Sequence, residues 1–405
     1  MDQTKGQGEA SRRVGTRLFF SVGDVSADLH AANLIRAIRA KRPDAIIEGL
    51  GGPRMAEAGC RLLDDMTTMN VMWFSNVLSI IRRARRLQRE ALAHMDANRP
   101  DAVVMLDFPG FNLSLARRLK TRGIPVLYYI SPQIWAWRPG RIHRIKRLVG
   151  KMLCIFPFEE KLYRSAGVPV EYVGHPLFDH LASVTLDAGF RRELRPSGSL
   201  GASAADEPVI GLLPGSRRQE IRDLLPAMAR AAALLRAEFP KAAFVVACPG
   251  EEQEKLAREV LARYDFPARV VAGRTFEVMA ESDLCLIKAG TGTMEMTHFG
   301  TPMVILYRVN VPGKLLDLLM RRTKFIGMPN ILLGREAVPE RLLWRDRPEE
   351  VAALALDILR RPERRDELRR TLAELRATID WPGASDRAAD AVLRFADEFQ
   401  GRTTP

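Results

Sequence analysis

Cysteine is scarce: there are four, at Cys60, Cys154, Cys248 and Cys285, in 405 residues. None stands in a C-x-x-C spacing, which excludes a disulfide framework and a zinc-ribbon arrangement and suits a reducing compartment. No run of about 18 apolar residues exists, so no transmembrane helix is expected. The polar, Gly-rich start has no apolar segment of the kind a secretory signal needs. No Gly-Lys-Ser/Thr follows a glycine-rich loop, so a Walker A phosphate site is also excluded. Acidic side chains are outnumbered, 49 Asp+Glu against 62 Lys+Arg, for a net charge of +13. That excess points to an anionic partner: nucleic acid, a membrane surface or a phosphorylated substrate. Nucleic acid is not expected, because no helix-turn-helix, zinc or RNA-binding signature accompanies the charge. Hydrophobic residues at 47% leave enough apolar material for a sizeable core and exclude whole-chain disorder.

What is present is an alternation. Apolar runs at Leu18–Val22, Ala45–Leu50, Ala102–Leu106, Val126–Ile130 and Lys151–Phe156 are separated by segments of helical period. A second series starts at Val209–Leu213 and continues through Phe244–Ala247, Arg269–Val271, Leu284–Ile287 and Met303–Leu306. Such alternation predicts βαβ units around parallel sheets. The expected organisation is α/β, with two Rossmann-like domains facing a cleft and C-terminal closing helices. Its parts are a disordered tail over 1–16, a first domain over 17–182, a flexible linker over 183–208, a second domain over 209–347 and helices over 348–405. The linker reading rests on the Ser, Gly and Ala content of 195–205. The terminal helices are free either to cross back onto the first domain or to swap into a partner chain, which leaves a homodimer open.

Ligands of open α/β sheets sit at the carboxyl ends of strands, so the polar residues there are the candidates. Asp107 ends a strongly apolar strand. It is either a proton acceptor with a raised pKa or a helix cap ahead of Pro109. Pro214-Gly215-Ser216-Arg217 follows the strand Val209–Leu213. Gly215 admits close backbone approach, Ser216 suits a helix cap, and Arg217 suits phosphate oxygens, although an ordinary capped turn has the same composition. Gly290, Thr291 and Glu295 stand at another strand-to-helix junction, beside the unusual Lys288, which either neutralises phosphate or reaches solvent. Asp24, Ser26 and Asp28 link the first strand to its helix, with Asp28 or Ser26 as a cap or the loop facing an acceptor. Val71, Met72, Trp73 and Phe74 open an apolar stretch that runs into Arg82, Arg83, Arg85, Arg86 and Arg89. Aromatic and apolar residues beside arginines compose an interfacial membrane segment, or a buried helix with a solvated basic end.

Taken in order, these segments resemble the lipid-A-disaccharide synthase family of inverting GT-B glycosyltransferases. The resemblance spans roughly Arg17 to Leu393. It is carried by G-D-V-S-A-D (23–28), L-D-F-P-G-F-N (106–112), S-P-Q-I-W-A-W-R (131–138), V-G-H-P-L (173–177), L-L-P-G-S-R (212–217), G-T with Glu295, P-N-I-L (329–332) and P-G-A-S-D-R-A-A (382–389). It implies condensation of UDP-2,3-diacylglucosamine with 2,3-diacylglucosamine 1-phosphate (lipid X), giving a β-1,6-linked disaccharide 1-phosphate and UDP. It further implies Asp107 as base, Arg217 with the glycine turns on the diphosphate, Glu295 on the ribose and Asn330 beside the nucleotide. No cofactor or metal is implied, and the enzyme is expected in the cytoplasm, peripheral on the inner membrane. Two segments depart from the common pattern. G-D-V-S-A-D stands in place of G-E-A-S-G-D, and K-A-G-T-G-T-M-E in place of A-S-G-T-A-T-L-E, which adds a charge at Lys288. Another UDP-sugar GT-B enzyme, such as an N-acetylglucosaminyl transferase or a UDP-N-acetylglucosamine 2-epimerase, is the alternative.

Overall fold

The computed structural model describes residues 15–67, 77–136, 139–187, 189–194, 208–309 and 323–400. They divide into two compact α/β units.

The first unit is built on seven strands: β1 (Arg17–Val22), β2 (Ile46–Gly51), β3 (Arg61–Asp65), β4 (Ala102–Leu106), β5 (Val126–Tyr129), β6 (Lys151–Cys154) and β7 (Val170–Tyr172). Their order is β3-β2-β1-β4-β5-β6-β7, and all pairs are parallel. Every residue of β4 is buried. Such a strand is covered on both faces, which is why it reads as an unbroken apolar run. Edge strands β3 (Arg-Leu-Leu-Asp-Asp) and β7 (Val-Glu-Tyr) are only partly covered and mix charge with apolar groups. They carry no apolar run, and the sequence alone does not announce them.

The second unit holds β8 (Val209–Leu213), β9 (Ala243–Cys248), β10 (Arg269–Ala272), β11 (Leu284–Lys288), β12 (Met303–Arg308) and β13 (Glu340–Leu343), in the order β10-β9-β8-β11-β12-β13, again parallel. The helix Arg218–Glu238 covers one face with Ile221, Leu225, Met228 and Leu235. Burying each of these large side chains contributes about 1.5–3 kcal/mol. Val351, Ile358 and Leu368, from helices Pro348–Arg360 and Pro362–Ile379, join the same core.

The last helix, Ala384–Gln400, belongs to the first unit. It packs on helix Val25–Lys41, with ion pairs Lys41–Asp390 at 2.8 Å and Arg42–Asp397 at 2.7 Å. Residues from Leu177 to Ala182, assigned from the sequence to the first domain, group with the second unit. The expected linker is also partly structured. Helix Phe190–Leu194 buries Phe190 and Leu194, and Arg191 pairs with Asp283 at 3.0 Å. The Ser/Gly/Ala composition masked this short anchor. Residues 195–207 and 1–14 lie outside the described part.

Candidate active site

Strand order reverses twice, between β1 and β4 and between β8 and β11. These are the topological switch points of the two sheets, where ligands bind outside the strand ends. In the first, Val22 pairs with Leu106, so the loop carrying Asp24 leaves the sheet beside Asp107. In the second, Leu213 pairs with Ile287, so the Pro214–Arg217 turn leaves beside Lys288. Register thus brings together motifs that lie about 80 residues apart in each unit.

Beyond β4 the backbone is strained. Asp107 and Phe108 both adopt left-handed conformations, at φ 46° and 44°, and Ile130 at the neighbouring strand end has φ 62°. Residues with side chains avoid this region, at about 1–3 kcal/mol each, unless their surroundings impose it. Here Asn112 imposes it. Its Nδ2 donates to the carbonyls of Leu106 (3.1 Å), Asp107 (2.8 Å) and, at 3.3 Å, Ser21, while its Oδ1 accepts from the Ser21 hydroxyl at 2.6 Å. The Tyr128 hydroxyl also donates to the Asp107 carbonyl. Gly23 makes room for Phe108: a β-carbon there would lie 2.5 Å from the Phe108 ring.

Asp107 does not cap the following helix, whose N-cap is Phe108 without a side-chain bond. Solvent reaches its side chain, yet the protein around it strips enough water to push the carboxyl above the usual range. The Phe108 N–H opposes that rise, and the charge of Asp24 adds to it. A carboxylate so placed is a stronger proton acceptor than an ordinary one.

The acceptor-loop candidates separate. Asp24 caps helix Val25–Lys41, accepting from the Ser26 N–H at 2.8 Å, and Ser26 is exposed. Asp28 is buried and accepts from the N–H groups of Gly52, Arg54 and Met55 at 3.0–3.2 Å. Its carboxylate is thus committed to the start of helix Pro53–Glu57.

In the second unit Gly215 adopts φ +117°, and a β-carbon would meet Glu220 Oε2 at 2.3 Å. Ser216 does not cap the helix. The helix begins one residue later, with Arg217 at the N-cap, and Glu220 supplies the acceptor for the N–H groups of Ser216 (3.1 Å) and Arg217 (3.2 Å). Arg217 is 76% exposed and lies only loosely against Glu220, at 3.9 Å. Lys288 neither stands free nor snorkels: its Nζ is 2.9 Å from Glu220 Oε1. Burial alone would raise the Glu220 carboxyl, but the hydrogen bond and charge of Lys288, with the N–H and charge of Arg217, together outweigh it and hold the group below its usual range.

Gly290 (φ +154°) and exposed Thr291 lead into helix Gly292–Phe299. Glu295 is part-buried, and its carboxyl has no partner among the described residues, so burial pushes it up to about 7. Asn330 is fully buried and already satisfied. It donates to the Val338 carbonyl (2.7 Å) and Glu340 (3.0 Å) and accepts from Ala337 and Val338 N–H groups at 2.8 Å. All four hydrogen-bonding positions of its amide are used. A direct side-chain contact to a nucleotide would have to break one of them.

Of the basic apolar segment, residues 71–76, and with them Val71, Met72, Trp73 and Phe74, lie outside the described part. Helix Val77–Ala97 exposes Arg82, Arg85 and Arg89, which form no ion pair among the described residues. Arg83 differs: it is half-buried and bound to Asp64 at 3.1 Å and to the Asp65 carbonyl at 3.0 Å. Arg86 lies 3.8 Å from Asp64 and 3.6 Å from Glu90. Among the described residues, no helix is long and apolar enough to cross a membrane. Nor does any group of three or more His, Cys, Asp or Glu side chains among them stand placed to hold a metal ion.

Comparison with known proteins adds to this geometry. A family model described as Lipid-A-disaccharide synthetase matches residues 18–380. A lipid-A-disaccharide synthase of Myxococcus xanthus is 39% identical over 94% of this chain and 97% of its own length. One from Methylobacillus flagellatus is 35% identical over 92% and 97%. Among solved structures, UDP-GlcNAc 2-epimerase from Neisseria meningitidis bound to UDP-GlcNAc superposes with a TM-score of 0.61 at 12% identity, covering 94% of this chain and 100% of that one. The calicheamicin glycosyltransferase CalG4 gives 0.57 at 15%, covering 97% and 100%. At such identities the structural likeness speaks for the two-domain GT-B fold.

Proposed function

The chain belongs to the lipid-A-disaccharide synthetase family, and from that premise we propose that it joins UDP-2,3-diacylglucosamine to 2,3-diacylglucosamine 1-phosphate and releases UDP. It is a glycosyltransferase of lipid A biosynthesis. Asp107 carries the mechanistic reading, because it is a carboxylate of raised basicity on a backbone forced out of its preferred conformation. Asp107 takes the proton of the acceptor 6-hydroxyl. The oxygen attacks the donor anomeric carbon from the face opposite the diphosphate, the carbon–oxygen bond to phosphate breaks, and the sugar configuration inverts. Arg217 and the helix starts after Gly215 and Gly290 offset the charge that gathers on the leaving UDP. These groups make a metal or cofactor unnecessary for neutralising it. Glu295 accepts hydrogen bonds from the ribose.

With acylated substrates, the reaction is proposed to run at the cytoplasmic face of the inner membrane, with the enzyme bound peripherally. Support comes from Arg82, Arg85 and Arg89, and from Arg117, Arg141 and Arg147 on adjoining helices, none of which forms an ion pair among the described residues. Such arginines suit anionic headgroups.

The test is acceptor dependence. Purified protein should release UDP only when UDP-diacylglucosamine and diacylglucosamine 1-phosphate are both present. Conversion of UDP-N-acetylglucosamine without any acceptor would instead favour the epimerase reading.

A further inference from the structure

Glu220 has two cations within reach and holds them unequally, Lys288 in a hydrogen-bonded pair and Arg217 in a looser one. Its Oε2 holds the N–H groups of Ser216 and Arg217, at 3.1 and 3.2 Å. Its Oε1 meets Lys288 at 2.9 Å, while the Arg217 guanidinium stays 3.9 Å away and 76% exposed. Arg217 and Glu220 are three residues apart at the start of a helix, a spacing at which they would readily pair with each other. Lys288, the nearer cation, comes from the end of β11, aligned to the β8 loop by the register Leu213↔Ile287.

We infer that Lys288 is a positioning residue of the donor site: by serving as the counter-ion of Glu220, it leaves the Arg217 guanidinium free for the diphosphate of the nucleotide. The carboxylate is needed where it is, because it satisfies two N–H groups of the turn. Left without Lys288, its other oxygen would draw in Arg217 and place a negative charge where the ligand's phosphates must go. Gly215 is part of the same device, since any side chain there would collide with the Glu220 carboxylate. The inference rests on the reading of the Pro214–Arg217 turn as a diphosphate site.

Calorimetric titration with UDP on the full chain tests it without the lipid substrates. Lys288→Met should weaken UDP binding about tenfold, as expected for loss of a charge-assisted contact. In steady state the donor KM should rise while kcat changes little. Lys288→Arg should bind nearly as wild type does. Glu220→Gln added to Lys288→Met should recover most of the loss, because the amide keeps an acceptor for the turn but no longer captures Arg217. Lys288→Gln serves if the methionine variant does not fold. Undiminished UDP affinity in the variants lacking the charge would overturn the inference. A loss that persists in the double variant would do so as well, since Lys288 would then act on the ligand directly. If wild type itself does not bind UDP, the donor-site reading fails along with it.

Discussion

Replacing Glu295 by glutamine is expected to stabilise the protein at alkaline pH while weakening its hold on the nucleotide. The carboxyl is part-buried on helix Gly292–Phe299, without a partner among the described residues, and burial carries it from an ordinary 4.5 to about 7. The direction of the linkage follows from that rise. Below pH 4.5 the group is protonated in folded and unfolded chains alike and contributes nothing. As pH rises, the unfolded chain ionises it freely, whereas the folded chain must ionise it in a poorly solvated place. The penalty therefore grows between pH 4.5 and 7 and is complete above pH 7. At 1.36 kcal/mol per pH unit it amounts to about 3 kcal/mol, and partial exposure reduces that to about 2 kcal/mol. Glutamine keeps the shape and removes the charge. Urea unfolding should show Glu295→Gln more stable than wild type by about 2 kcal/mol at pH 8.5, with about a quarter of that gain left at pH 5. UDP affinity should fall at the same time, because the amide replaces the carboxylate proposed to accept from the ribose. Equal stability at pH 8.5, or a gain of the same size at both pH values, would refute the reasoning.

Three further outcomes are expected. Asp107→Asn should lower kcat by about 10²- to 10⁴-fold with UDP binding unchanged, measured by UDP release and calorimetry; wild-type turnover would remove Asp107 from the role of base. Asn330→Ala strips acceptors from the buried Ala337 and Val338 N–H groups and should cost about 2–4 kcal/mol in urea unfolding, whatever the ligand. Changing Arg82, Arg85 and Arg89 together to glutamine should weaken binding to vesicles rich in anionic phospholipid by about 1 kcal/mol per residue, with little effect on zwitterionic vesicles; unchanged binding would place the membrane contact elsewhere.

The alternation of apolar runs was enough to read two parallel α/β units, because central strands such as β4 are covered on both faces and must be apolar throughout. Edge strands β3, β7 and β13 escaped notice because they are short and carry charge. The positions of the site motifs were legible as strand ends. Their pairing was not, since strand order and register are set by packing between distant segments. Asn112 and Tyr128 were missed for a related reason. Asn112 closes the L-D-F-P-G-F-N segment and Tyr128 lies in a buried strand, but what they do, holding Asp107 in a left-handed conformation, is visible only in three dimensions. Side chains at the right positions also proved to have local duties. Asp28 and Asn330 are spent on backbone groups, and Lys288 answers a carboxylate rather than solvent.

The proposed reaction is a single displacement at the anomeric carbon, with Asp107 as base and the Arg217 turn on the leaving diphosphate. Mass spectrometry and proton NMR of the product from α-linked UDP-2,3-diacylglucosamine and 2,3-diacylglucosamine 1-phosphate test it directly. A tetraacylated disaccharide 1-phosphate with a β anomeric coupling at the new linkage is the predicted result. An α linkage, or a modified sugar nucleotide with no disaccharide, would contradict it.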